Sequence, residues 1–126
     1  MSPTRLFAGV FGAVYVAVGL IGFAVAPGTT THDLLFFDLN IWHNLVHLAI
    51  GGAGLMAFTA GASASRSYAR VLAVAYALVA VLGVLPQPLF GILPIGGADI
   101  GLHAASALVA AYFGFAAQSR MVARPA

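Results

Sequence analysis

The chain has no cysteine, no lysine and no glutamate among its 126 residues, and only 6% of it is charged. Each absence excludes something. Without cysteine there is no disulfide, no thiolate metal ligand and no cysteine nucleophile. Three aspartates and five arginines leave no surface of the kind a soluble domain needs, where about a quarter of residues are charged. The arginines are scattered and lack interleaved aromatics, so the net charge of +2 does not mark a nucleic-acid partner. No phosphate-binding loop is present, and no set of nucleophile, base and orienting residue can be assembled.

What is there is apolar. Hydrophobic residues make up 62% of the sequence. A spanning helix needs about 20 mostly apolar residues, and four such stretches can be read, at about 5–26, 41–60, 69–86 and 98–118. The breaks between them are "APGTTTHD", "GASASRS" and "PQPLFGILPIGG". Proline lacks the backbone donor and glycine adds chain freedom, so each break ends a helix. The expected fold is an all-α integral membrane four-helix bundle, a single domain over 1–126. The first stretch carries Arg5 and an Ala24-Val25-Ala26 triplet like a signal peptide. Its apolar run is too long and Pro27 disfavours cleavage, so it reads as a retained helix.

Arg5 precedes the first span, Arg66 and Arg70 lie between the second and third, and Arg120 and Arg124 follow the fourth. All five fall on one side. By the positive-inside rule that side is cytoplasmic, with both termini inside a bacterial plasma membrane. His32, Asp33, Asp38 and Asp99 fall on or near the opposite side.

The halves look alike. Tyr15, Gly22 and Pro27 match Tyr76, Gly83 and Pro88 at one constant offset, and "HNLVH" matches "DIGLH" at a slightly smaller one. Two helix hairpins related by an axis along the membrane normal would account for this.

The matched motifs carry the chemistry. His43 and His47 share one face of the second span, as Asp99 and His103 share one face of the fourth. His43 and Asp99 then lie at one depth near the outer interface. His47 and His103 lie about 6 Å deeper, one turn on. Ionisable groups are costly in lipid and mark functional sites by default. Three imidazoles and a carboxylate suit a tetrahedral divalent metal; zinc is favoured, with iron, manganese or copper open. Two other readings stand beside it. The side chains could simply hydrogen-bond between helices, with Asp99 capping the fourth span. Alternatively, His47 and His103 could be the axial pair of a haem b, with glycines leaving room for the macrocycle.

Around these, Asn44 and Ser106 are candidates to support the ligands, each one turn from a histidine. Asp38 and Asn40 are expected to cap the second span, "LLFF" at 34–37 to lie in the interface, and His32-Asp33 to offer a metal entry or surface site. The small-residue stripes of Gly9, Gly12, Gly19 and Gly22 and of Gly51 and Gly54 are expected helix-crossing positions. They would also let lipid, a second copy or a larger membrane complex pack against the bundle.

The strings "HNLVHLAIGGAGL" and "PIGGADIGLH" resemble an uncharacterised actinobacterial membrane family, the domain-of-unknown-function family four-three-eight-three. The resemblance covers nearly the whole chain. It implies four short spans and a pairing of His43, His47, Asp99 and His103, and it brings no activity. Gly101 stands where that motif would be expected to hold a bulkier polar residue. The functional expectation is a small membrane protein with an intramembrane His/Asp metal site near its outer face, in a structural, sensing or accessory role. A haem-carrying redox subunit and a metal-free accessory subunit are the alternatives, and an enzyme is the least favoured class.

Overall fold

A computed structural model describes residues 1–117. It contains four long helices: α1 (Pro3–Val25), α2 (Ile41–Ala60), α3 (Ala62–Leu82) and α4 (Ala98–Ala111). The last continues through a π-helical turn, Tyr112–Ala116. All four are long and apolar enough to cross a membrane, and the protein is a four-helix membrane bundle. The expected end of the fourth span at 118, with Arg120 and Arg124, lies outside the described residues.

Helix starts follow from local chemistry. Ser2 caps α1, accepting from the Arg5 backbone N–H at 3.2 Å, with Pro3 in the first helical position, where it has no donor to lose. Asn40 caps α2, accepting from the His43 N–H at 3.0 Å. Asp38 does not cap, contrary to expectation. It sits instead on a short antiparallel hairpin, β1 (His32–Leu34) with β2 (Phe37–Leu39), in which Asp33 faces Asp38. The "LLFF" segment is the tip of this hairpin, from the last residue of β1 to the first of β2, with Leu35 and Phe36 both 82% exposed.

The third span starts seven residues earlier than the sequence pattern indicates. Only Gly61 interrupts the chain, at φ +112°, a region open to glycine and costly for other residues. "ASASRS" is already helical. Ser65 ties the two helices together by donating to the Ala57 carbonyl at 3.0 Å, a second bond to the oxygen that already accepts from the Gly61 N–H at 3.1 Å. The third span also ends earlier, at Leu82. A loop over residues 83–97 follows, organised by Gln87, whose side-chain oxygen accepts from the N–H groups of Leu89 and Ile95 at 3.2 and 3.0 Å.

The helices pack as two hairpins, α1 against α2 and α3 against α4. In the first, a Cβ on Gly12 would stand 2.8 Å from the Gly51 carbonyl oxygen, and one on Gly51 would stand 2.6 Å from the Val16 nitrogen. The two backbones touch, as small residues allow in a membrane. Phe7, Tyr15, Leu72, Tyr76, Ala107 and Ala110 form the common core between the hairpins.

The bundle has two unlike ends. Arg5, Arg66 and Arg70 stand at one, where Arg5 donates to the Phe58 carbonyl at 2.7 Å and Arg70 to the Gly114 carbonyl at 2.9 Å. The β-hairpin, the 83–97 loop and the first turns of α2 and α4 form the other.

Candidate functional site

The first turns of α2 and α4 deliver His43, His47, Asp99 and His103 to one buried cluster on the bundle axis, with relative exposures of 2, 9, 3 and 6%. His43 and Asp99 meet directly. His43 Nε2 lies 3.5 Å from Asp99 Oδ2. The His43 and His47 rings are 4.6 Å apart between centroids, and the His43 and His103 rings 6.5 Å. Among the described residues, no three His, Asp, Glu or Cys side chains stand ready to hold a metal ion. The cluster contains one close pair with two imidazoles beside it.

Hydrogen bonds fix the tautomers of two histidines. His43 Nδ1 is 3.0 Å from the Asp38 carbonyl oxygen, and His103 Nδ1 is 2.7 Å from the Asp99 carbonyl oxygen. A carbonyl only accepts, so both Nδ1 atoms carry hydrogen, and in the neutral rings both Nε2 atoms carry lone pairs. His43 Nε2 therefore points a lone pair at a carboxylate oxygen. Asp99 Oδ2 has no hydrogen-bond partner among the described residues, and neither has His47 Nδ1. Two acceptors facing each other in a buried site need a proton or a cation between them.

Asp99 does not cap α4; Gly97 holds that position without a side-chain bond. Asn44 does not orient His47. Its amide nitrogen donates to the Ala26 carbonyl at 2.8 Å, tying α2 to the end of α1. Gly22 makes room for it, since a Cβ there would overlap the Asn44 side chain. Ser106 is buried one turn from His103, on the same side of α4. His32 is exposed on the hairpin. Asp38 links hairpin and site through its carbonyl, while its own carboxyl is pushed above the ordinary range, chiefly by a hydrogen bond with the carboxylate of Asp33 opposite and then by burial.

Tyr15 and Tyr76 complete the cluster. The sequence shows them only as matching positions in the two halves. They face each other at 5.9 Å between centroids. Each meets the deeper histidine of its own hairpin edge-on: Tyr15 with His47 at 5.1 Å and 89°, Tyr76 with His103 at 4.9 Å and 71°. The same contact thus recurs in both halves. So does a second one, in which Gly22 makes way for Asn44 and Gly83 for Ile100.

A cavity of about 470 Å³ reaches the cluster from the side, between α1, α4 and the hairpin. Its walls are apolar, and His47, Asp99, Tyr15 and Ser106 also line it.

The model of a family described as a domain of unknown function, DUF4383, matches residues 5–116. No curated protein and no solved structure matches the chain.

Proposed function

The chain belongs to the DUF4383 family, whose description assigns no activity, and from the site itself we propose a small membrane protein that holds one divalent cation, zinc favoured, between its two helix hairpins. The observation that carries this reading is the 3.5 Å gap between the His43 Nε2 lone pair and the unpartnered Asp99 Oδ2. Ligand atoms on a tetrahedral zinc stand about 3.3–3.6 Å apart, given bonds of about 2.0–2.2 Å. The Nδ1–H bonds of His43 and His103 to backbone carbonyls are the usual outer support of an imidazole that binds metal through Nε2. His43 and Asp99 would be the first pair of ligands. His47, whose Nδ1 has no partner among the described residues, and His103, held through its Nδ1–H, would complete the shell. The cation would neutralise the carboxylate and offset the cost of burying four polar side chains.

The role that follows is structural, sensing or accessory. The arginine end would face the cytoplasm of a bacterial cell, and the site would lie near the outer face of its plasma membrane. Membrane lipids are the surroundings, and a homo-oligomer or a larger membrane complex is the expected assembly.

Elemental analysis, a visible spectrum and thermal melting with and without chelator, on one purified preparation, test the reading. One zinc per chain, a colourless sample and a melting temperature lowered by chelator support it. A Soret band that disappears in His47→Ala or His103→Ala replaces the cation with haem b. If there is neither metal nor colour, and chelator leaves the melting unchanged, a proton fills the gap and the cation reading fails.

A further inference from the structure

The end of the bundle opposite the histidines holds positive charge without a counter-charge. The acidic side chains of the whole sequence are Asp33, Asp38 and Asp99, and they stand on the β-hairpin and in the first turn of α4. Among the described residues no ion pair reaches Arg5, Arg66 or Arg70. Two of these arginines are fixed by the same means. Arg5 donates Nε–H to the Phe58 carbonyl, and its guanidinium lies 5.1 Å from the centroid of the Phe58 ring. Arg70 donates Nε–H to the Gly114 carbonyl, and its guanidinium lies 5.1 Å from the centroid of the Phe115 ring. A glycine makes room in each case. A Cβ on Gly9 would stand 2.8 Å from the Phe58 ring, and one on Gly114 would stand 3.0 Å from the Arg70 backbone nitrogen.

The halves differ by one arginine. The carbonyls of Phe58 and Gly114 match at the offset of His43 and Asp99, but by the offset of Tyr15 and Tyr76 the residue matching Arg5 is Arg66. Arg70, one turn further on, takes the carbonyl instead, and Arg66 is the extra cation. The two stand four residues apart on one face of α3, where like charges repel. Arg66 Nε is buried with no hydrogen-bond partner among the described residues. The chain has no acidic side chain at this end to join them, so an anion has to come from outside.

We propose that Arg66 and Arg70 bind the phosphate of an anionic phospholipid headgroup in the leaflet at this end of the bundle. The carbonyl occupies Nε of Arg70 and leaves its two Nη groups, an edge that meets a phosphate with paired hydrogen bonds. The Phe115 ring and the Gly114 carbonyl hold this guanidinium before a lipid arrives, which lowers the cost of ordering it on binding. Arg66 supplies the second charge. The headgroup carries no ammonium, since the neighbouring arginines would repel one. Free phosphate has the same chemistry, but α3 is long and apolar enough to cross a membrane, and lipid phosphate is concentrated where such a helix ends. This site lies at the opposite end from the cation site and does not depend on it.

The test titrates phosphatidylglycerol, phosphatidylcholine with the same acyl chains, and inorganic phosphate into the full-length protein in neutral detergent. Native mass spectrometry reads retained lipid, and melting temperature is followed in parallel. Phosphatidylglycerol should be retained and raise the melting temperature; the other two, at equal concentration, should do neither. Arg66→Gln combined with Arg70→Gln should weaken phosphatidylglycerol binding about tenfold. Arg120→Gln combined with Arg124→Gln removes the same charge and should weaken it much less. Arg70→Lys keeps the charge but loses the paired edge, and should fall between. Arg66→Gln alone breaks no hydrogen bond among the described residues, so it should fold and still bind more weakly than Arg120→Gln even where the double variant does not fold. Equal retention of the two lipids, or equal losses in variants at 66 and 70 and at 120 and 124, would overturn the proposal. So would stabilisation by inorganic phosphate equal to that by phosphatidylglycerol.

Discussion

The two hairpins place the same tyrosine against the same histidine, yet they close their helices differently. The α1/α2 seam has Gly12, Gly51 and Gly54 where the α3/α4 seam, at the matched positions, has Ala73, Ala107 and Ala110, all buried. In the first hairpin backbone lies on backbone; in the second each of these positions adds a buried methyl group. The motifs at the outer end differ as well. His43 and Asn44 in one half are Asp99 and Ile100 in the other. An exact two-fold would oppose like with like, His to His or Asp to Asp. The divergence lets an imidazole face a carboxylate across the axis, and that unlike pair is the centre of the candidate site.

The largest effect should come from making the first seam resemble the second. Gly51→Ala inserts a methyl group 2.6–2.8 Å from three atoms of α1, backbone among them, which cannot yield without moving the helix. A loss of about 3 kcal/mol is expected in a reversible unfolding titration in detergent. A normal midpoint would mean the first seam is as loose as its counterpart. Next, Asn44→Ala removes the donor to the Ala26 carbonyl and should cost about 1–2 kcal/mol in the same assay. The reverse exchange, Ala107→Gly, leaves backbone contacts alone and should cost about 1 kcal/mol, mostly in helix propensity. The ordering of Gly51→Ala above Ala107→Gly is the sharper prediction, and equal losses would erase the distinction between the seams.

The smallest effect belongs to the Asp33–Asp38 pair, present in only the first half. Asp38 binds its proton more tightly in the folded hairpin than in the unfolded chain. Its contribution to stability is therefore present in acid and lost as pH rises through its raised folded value. Asp33→Asn should melt slightly higher than wild type near neutral pH, where two carboxylates face each other. The gain should vanish once the pH falls below the ordinary carboxylate range near 4. A pH-independent difference would assign the effect to something other than this pair.

Much of this frame is legible from the residues. The bounds of α2 are those its apolar run and flanking Asn40 and Gly61 indicate. The polar motifs locate the cluster because the chain's other histidine and aspartates, His32, Asp33 and Asp38, all lie before the second span. Other features needed tertiary contacts. "ASASRS" has the composition of a loop, yet it is the start of α3, tied to α2 by the bond from Ser65 to Ala57. The apolar tip Leu35-Phe36 reads as membrane filler, and a two-residue turn leaves no periodic signal. Asp38 and Asn40 are equally good caps by type; the helix takes Asn40 because Asp38 is held in the hairpin, where its carbonyl receives His43. Tyr15 and Tyr76 match in sequence without announcing that they pack on histidines.

The central claim is that a cation lies between His43 and Asp99, and zinc-edge X-ray absorption on the purified protein reads it most directly. The account predicts about four nitrogen or oxygen neighbours at about 2.0–2.2 Å, with the outer-shell scattering of imidazole rings. That scattering should fall in His43→Ala. A sample with no stoichiometric zinc, or one whose zinc has the same spectrum in wild type, His43→Ala and Asp99→Ala, would contradict it.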